Sequence, residues 1–126
     1  MTARGDEMKE RTLQFSFRVG HLVHHLGREN TLSEVYGRQL LRCASSVGAN
    51  YRAACRAKSP RDFLNKLKIC EEECDECVYW LQHVEHFRLV STTRLQPLVQ
   101  EASELCAMLT SACKTAARRV HDTANQ

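Results

Sequence analysis

Turn formers are scarce in this chain: 5 Gly and 2 Pro in 126 residues, with few runs of β-branched side chains. That disfavours an all-β sandwich or a βα repeat, both of which need such residues at every turn. Long apolar runs are missing as well. No stretch approaches the roughly 18 uninterrupted apolar residues of a membrane span, and the opening MTARGDEMKERT has no apolar signal core. These absences predict a soluble, cytoplasmic chain with no membrane contact. Neither sign of charge dominates: 18 Lys and Arg face 15 Asp and Glu for a net +3, too mild on its own to imply a nucleic-acid partner. Aromatic residues make up 6%, and none interleaves with the basic residues as a single-strand stacking surface would require. Cysteine is the exception to this sparseness. Seven of them, an odd number without an export signal, predict reduced thiols rather than a disulfide framework.

What remains is rich in Leu, Ala, Glu, Arg, Lys and Gln, the good helix formers. A composition of 43% hydrophobic and 26% charged is globular, and the length suits one domain spanning 1–126. Three breaks divide it. TLSE at 31–34, after Gly27, has the form of a capping box; Ser59 precedes Pro60 as an N-cap before a first-turn proline; and VSTT at 90–93 offers hydroxyl caps ahead of a last helix with Pro97 in its opening turns. The predicted helices are 7–28, 32–57, 60–89 and 93–119. Each carries apolar or small residues at alternating steps of four and three. They are Met8, Thr12, Phe15, Val19, Leu22 and Leu26 in the first, and Tyr36, Leu40, Cys43, Val47, Asn50, Ala54 and Ala57 in the second. The third gives Phe63, Leu67, Cys70, Cys74, Cys77, Leu81 and Val84, and the fourth Leu95, Leu98, Ala102, Leu105, Leu109, Ala112 and Ala116. A 3.5-residue period with short connections predicts an all-α, up-down-up-down four-helix bundle.

The most chemical-looking stretch is CEEECDEC at 70–77. Its cysteine spacing is that of a radical-SAM iron–sulfur motif, but such a motif needs a loop after a strand, and no strands are predicted. A zinc site is the second alternative, with Cys70, Cys74 or Cys77 joined across the core by Cys43, Cys106 or Cys113. The third fits the pattern best: Cys70, Cys74 and Cys77 occupy three consecutive seam positions, where cysteine packs as a small hydrophobe. No metal ligand and no cofactor is assigned. Other candidates for chemistry are weak. Glu72 and Glu76 lack the His three residues on that a di-metal bundle uses. His21 and His25 have bridging spacing but no flanking acid or thiol, and Ser45 and Ser46 lie in no nucleophile elbow. No catalytic residue is assigned, and the chain reads as non-enzymatic.

Three stretches act together: RCASSVGANYRAA at 42–54, KSPRDFLNKL at 58–67, and Glu72 and Glu76 followed by YWL at 79–81. As a set they resemble the four-helix-bundle family named after proteins encoded in the intervening sequences of bacterial 23S ribosomal RNA genes. The resemblance spans about residues 10–115 and implies a homo-oligomer, typically a pentameric barrel. A related group with this architecture comprises the accessory proteins of diversity-generating retroelements, whose pentamers bind a reverse transcriptase and its RNA. In one respect the chain departs from the pattern, having Ala53 where the family carries an acid. The motif residues also have physical roles of their own. Asn50 is a polar group on an apolar seam, suited to fixing register or oligomer state. Glu72, Glu76 and Trp80 form one stripe, and Arg42 is placed to meet Glu72 or Glu76 in an ion pair.

Charge is unevenly distributed. Arg38 to Lys68 holds eight basic residues and one acid, whereas positions 71–76 hold five acids. Arg52, Arg56, Lys58 and Arg61 crowd the corner between the second and third helices, and Lys114, Arg118 and Arg119 end the fourth. A ring of such corners would grip phosphate backbones with little sequence reading. The resulting expectation is an oligomeric accessory or scaffold protein that binds RNA or DNA through these seven residues, with a retroelement reverse transcriptase as a possible partner. Two alternatives are a metal- or redox-binding bundle using Cys70, Cys74 and Cys77, and a purely protein-binding adaptor.

Overall fold

The computed structural model describes residues 3–125. Four helices follow one another: α1 (Ala3–Leu26), α2 (Thr31–Ala54), α3 (Pro60–His86) and α4 (Thr92–Ala124). Their starts are set by side chains that satisfy otherwise orphaned N–H groups. Asn30, in extended backbone, accepts from Leu32 N at 2.8 Å and Ser33 N at 3.3 Å, so the cap of α2 is Asn30 rather than Thr31. Ser59 accepts from Asp62 N at 3.0 Å ahead of Pro60, and the Asp62 carboxylate in return accepts from Lys58 N at 3.1 Å. Ser91 caps α4. The outer bounds differ most from expectation: α1 starts at Ala3 and α4 runs on to Ala124.

Each helix packs along the next in sequence, whereas α1 and α4 meet across a much thinner contact. Gly37 and Gly48 of α2 face α1 at close range. A Cβ on Gly37 would stand 3.3 Å from Val23 Cγ1, and one on Gly48 would stand 3.4 Å from Thr12 Oγ1. The core runs the length of the bundle and includes Phe15, Val19, Leu40, Val47, Leu67, Leu81, Leu105 and Leu109 together with Cys43, Cys70, Cys74 and Cys77. Thr12, the one hydroxyl expected in the α1 seam, is buried and donates to Met8 O at 2.8 Å, which removes the cost of placing it there.

At single positions in α2, α3 and α4 the buried residue falls one place later than expected. Tyr51 is buried where Asn50 was expected, and Cys113 where Ala112 was expected. Asn50 is therefore only half-buried. Its amide donates to Ser46 O at 2.9 Å and Ser46 Oγ at 2.8 Å within α2, so it is satisfied locally and not paired across the bundle. At the start of α3 it is Leu64 that is buried, beside a half-buried Phe63. Tyr36, Leu26 and Ala57 are likewise half-buried.

The thin α1–α4 seam is bridged by one arginine. Arg11 donates through Nε and Nη2 to both carboxylate oxygens of Glu101, at 2.8 and 2.7 Å, and its Nη2 also reaches Glu104 at 3.2 Å. Hydrogen bonding to Glu101 raises the Arg11 pKa further above its already high ordinary value. Because the Glu101 side chain is only 15% exposed, removing its partner leaves a largely buried, uncompensated carboxylate. Arg11→Ala is expected to destabilise the fold by about 2 kcal/mol in urea titrations, more than loss of an exposed pair would cost.

Two of the connections turn through left-handed backbone. Gly27, with φ +71°, ends α1 without strain. Arg88, with φ +51°, ends α3, where Leu89 N donates to Val84 O and Arg88 N to Glu85 O, each at 3.1 Å. A side chain at that position costs energy that glycine avoids. Arg88→Gly is expected to stabilise the protein by about 0.5–1 kcal/mol, after its greater freedom in the unfolded chain is allowed for, read as a higher thermal midpoint.

Candidate nucleic-acid interface

Alternation of direction brings the start of α1, the end of α2, the start of α3 and the end of α4 to one end of the bundle. The seven basic residues singled out from the sequence are all at this end. Arg52 and Arg56 lie one turn apart at the end of α2, Lys58 is in the connecting loop, and Arg61 is in the first turn of α3. Lys114, Arg118 and Arg119 lie in the last turns of α4, which runs back past the start of α3. Cys74 Sγ of α3 donates to Ala102 O of α4 at 3.6 Å, which sets that antiparallel register. All seven side chains are exposed. Among the described residues, none of the seven takes part in an ion pair, whereas Arg11, Arg38, Arg42 and Lys66 all do. The seven cations thus have no ion-pair partner, but they share this end with the exposed acids Asp6, Glu7, Glu10 and Asp122 and with Asp62, which Lys66 neutralises at 2.6 Å. Hydrogen bonding to Lys66 lowers the Asp62 pKa.

The residues assigned to structure or assembly lie elsewhere. Arg42 crosses from α2 to α3 and bonds Glu76, with a second contact to Glu73 at 3.2 Å and a third to Gln39 at 3.1 Å. Glu73, not Glu72, is the second acidic partner, because Glu72 projects to solvent on the outer face of α3. Trp80 Nε1 donates to Glu76 Oε1 at 3.4 Å, so Arg42, Glu76 and Trp80 form one chain of contacts.

That chain leads into a feature the sequence reading did not identify. Tyr36, Tyr79, Trp80, His83 and Phe87 assemble one aromatic surface where α2 begins and α3 ends. Tyr36 stacks on Trp80 at 5.8 Å and on Phe87 at 6.0 Å, and Tyr79 meets His83 at 4.6 Å. Tyr79 is 52% exposed and Phe87 46%. A groove of about 530 Å³ runs beside them, lined by Tyr36, Gln82, His83, His86 and Phe87. The step of four from Tyr79 to His83 to Phe87 was a usable signal, but Tyr36 joins only through tertiary packing. This surface is at the opposite end from the basic cluster, so the two do not combine into one site.

The cysteines of CEEECDEC are interior. Cys70, Cys74 and Cys77 are all fully buried. Burial pushes the Cys70 thiol up to about 12, and Cys74 and Cys77, each hydrogen-bonded to another thiol, are also raised. Among the described residues, no three Cys, His, Asp or Glu side chains converge as metal ligands. No helix of the described residues is long and apolar enough to cross a membrane.

An antiparallel four-helix bundle with one unpaired basic end is the class that fold and surface define. The sequence profile described as 23S rRNA-intervening sequence protein matches residues 7–111, and the chain belongs to that family. Among solved structures it is similar to a protein of unknown function from the S23 ribosomal protein family of Bacteroides thetaiotaomicron VPI-5482. The two share 31% identity at a TM-score of 0.75, over 84% of this chain and 97% of that one. No protein of curated function matches.

Hydrogen bonding to Arg42 holds the Glu76 carboxyl below the usual glutamate range. Its contribution to stability is therefore present above the unfolded pKa and lost as pH falls through the lower folded one. In an NMR titration Glu76 is expected to titrate below the ordinary glutamate range, and Arg42→Ala is expected to raise its pKa.

Proposed function

We propose that this protein is a non-catalytic, homo-oligomeric scaffold that holds RNA or DNA by its backbone at the basic end of the bundle. The observation that carries this reading is the grouping of Arg52, Arg56, Lys58, Arg61, Lys114, Arg118 and Arg119 at that end, exposed and without internal ion pairs. Unpaired surface cations repel one another, and a polyanion relieves that repulsion while releasing its own counterions. Side chains that come from several elements and flank a bundle end suit a phosphate backbone better than base edges. Assembly into a ring, the pentamer that the family resemblance implies, would repeat the cluster around an axis and multiply its affinity. The aromatic surface around Tyr79 and Phe87 supports assembly, because exposed rings beside a groove are the residues that interfaces bury. The partner consistent with this arrangement is a structured RNA with its protein, and the family resemblance points to a retroelement reverse transcriptase.

The same aromatic surface favours a second reading, a protein-binding adaptor whose partner docks there with little dependence on salt. The two are separated by measuring the affinity for a structured RNA across a salt series. Arg52→Ala with Arg56→Ala is expected to weaken binding across sequences and to reduce the slope of log affinity against log salt by about 1.5. An unchanged slope in the folded double variant would remove the basic end as the contact surface.

A further inference from the structure

The α2–α3 seam contains a pair of groups that nucleic-acid binding does not use. Cys77 Sγ lies 3.1 Å from Cys43 Sγ and donates to it, and both residues are fully buried. The two come from adjacent helices and are 34 residues apart in sequence. Both are free thiols. Bonded sulfurs stand about 2.0 Å apart, so closing the pair needs a movement of about 1 Å, within the range of small side-chain rotations. The next thiol of α3, Cys74, is directed toward α4, where its Sγ donates to Ala102 O at 3.6 Å and meets the Cys106 thiol.

A polar bridge crosses the outer side of the same seam. Arg42 adjoins Cys43, Glu76 adjoins Cys77, and the bond between Arg42 and Glu76 crosses the seam at the same level as the thiols. Glu73 and Trp80 extend that cover on either side, each bonded to a member of it. The Arg42 side chain is 48% exposed, so the cover is held by surface bonds that open more easily than the core beneath.

We propose that Cys43 and Cys77 are a redox site, a dithiol that hydrogen peroxide converts to an α2–α3 disulfide when the Arg42 bridge opens. Peroxide is close to water in size and needs only a small gap. The Cys43 sulfur, which accepts the hydrogen bond from Cys77, attacks one peroxide oxygen. The O–O bond breaks, the departing hydroxide leaves as water with the Cys43 proton, and Cys43 is left as a sulfenic acid. The Cys77 sulfur then attacks that sulfur, and the sulfenic hydroxyl leaves as a second water with the Cys77 proton. Two thiols are oxidised to one disulfide and one peroxide is reduced to two waters. Full burial of both thiols keeps peroxide away from the Cys43 sulfur and holds the reaction slow while the cover is closed.

The test exposes the reduced full-length protein to hydrogen peroxide, blocks the remaining thiols by alkylation, and maps peptides by mass spectrometry. The expected result is a Cys43–Cys77 linked peptide, a thermal midpoint raised on the order of 5 °C, and several-fold faster linkage in Arg42→Ala. Glu76→Gln provides the same reading if Arg42→Ala does not fold. Recovery of Cys43 and Cys77 as alkylated thiols, or as separate higher oxides, would overturn the proposal. An equal rate in a folded cover variant would overturn the role of the bridge.

Discussion

One constraint organises this molecule: four helices must bury a single apolar stripe each, and they do so against one another in alternating directions. The stripe decides which residues are interior, including a third helix lined by Cys70, Cys74 and Cys77. Alternation decides which termini meet. The basic end therefore follows from the packing of the core, because Arg52 and Arg56 at the end of α2 can join Lys114, Arg118 and Arg119 only if α4 runs antiparallel to α3. Residues more than 50 apart in sequence are thereby brought to one end of the bundle.

The four packed seams are not equivalent. The α1–α2, α2–α3 and α3–α4 seams are continuous, while α1 and α4 are joined chiefly through Arg11 and its carboxylate partners. An open seam in a bundle costs buried area, and a bidentate arginine is a narrow substitute for packed side chains. The α2–α3 seam is the opposite case. There the Arg42 bridge lies at the level of the Cys43–Cys77 contact, and the half-buried Tyr36–Trp80 stack follows it along the groove.

Most of the architecture was legible because helical periodicity reports directly on burial. Every expected seam residue of α3 from Leu67 to Val84 is buried, and the proline-led start of that helix is capped by Ser59 as its pattern implies. Periodicity is less informative where two neighbouring positions straddle the seam. Asn50 and Tyr51 illustrate this: the larger, more apolar residue takes the interior, and the amide turns back on its own helix. Partners across the bundle were harder still. Arg42 was correctly placed against α3, but the acid one residue beyond Glu72 is the one on the inward flank. The Arg11–Glu101 bridge and the Tyr36 ring stack left no local trace, since each depends on the axial register of two helices, which a single stripe does not specify. The seven cations were visible as clusters in sequence. That they share one end is a consequence of topology.

The central claim is that the basic end engages a polyanion as part of an assembled particle. Light-scattering mass determination, with and without a structured RNA at low and moderate salt, tests it most directly. The account predicts a mass that is a multiple of the 14.4 kDa chain alone, rising to a larger complex with RNA that falls apart as salt increases. A mass indifferent to RNA at low salt would contradict it, and would leave the seven cations as a solvated end of a protein-binding bundle.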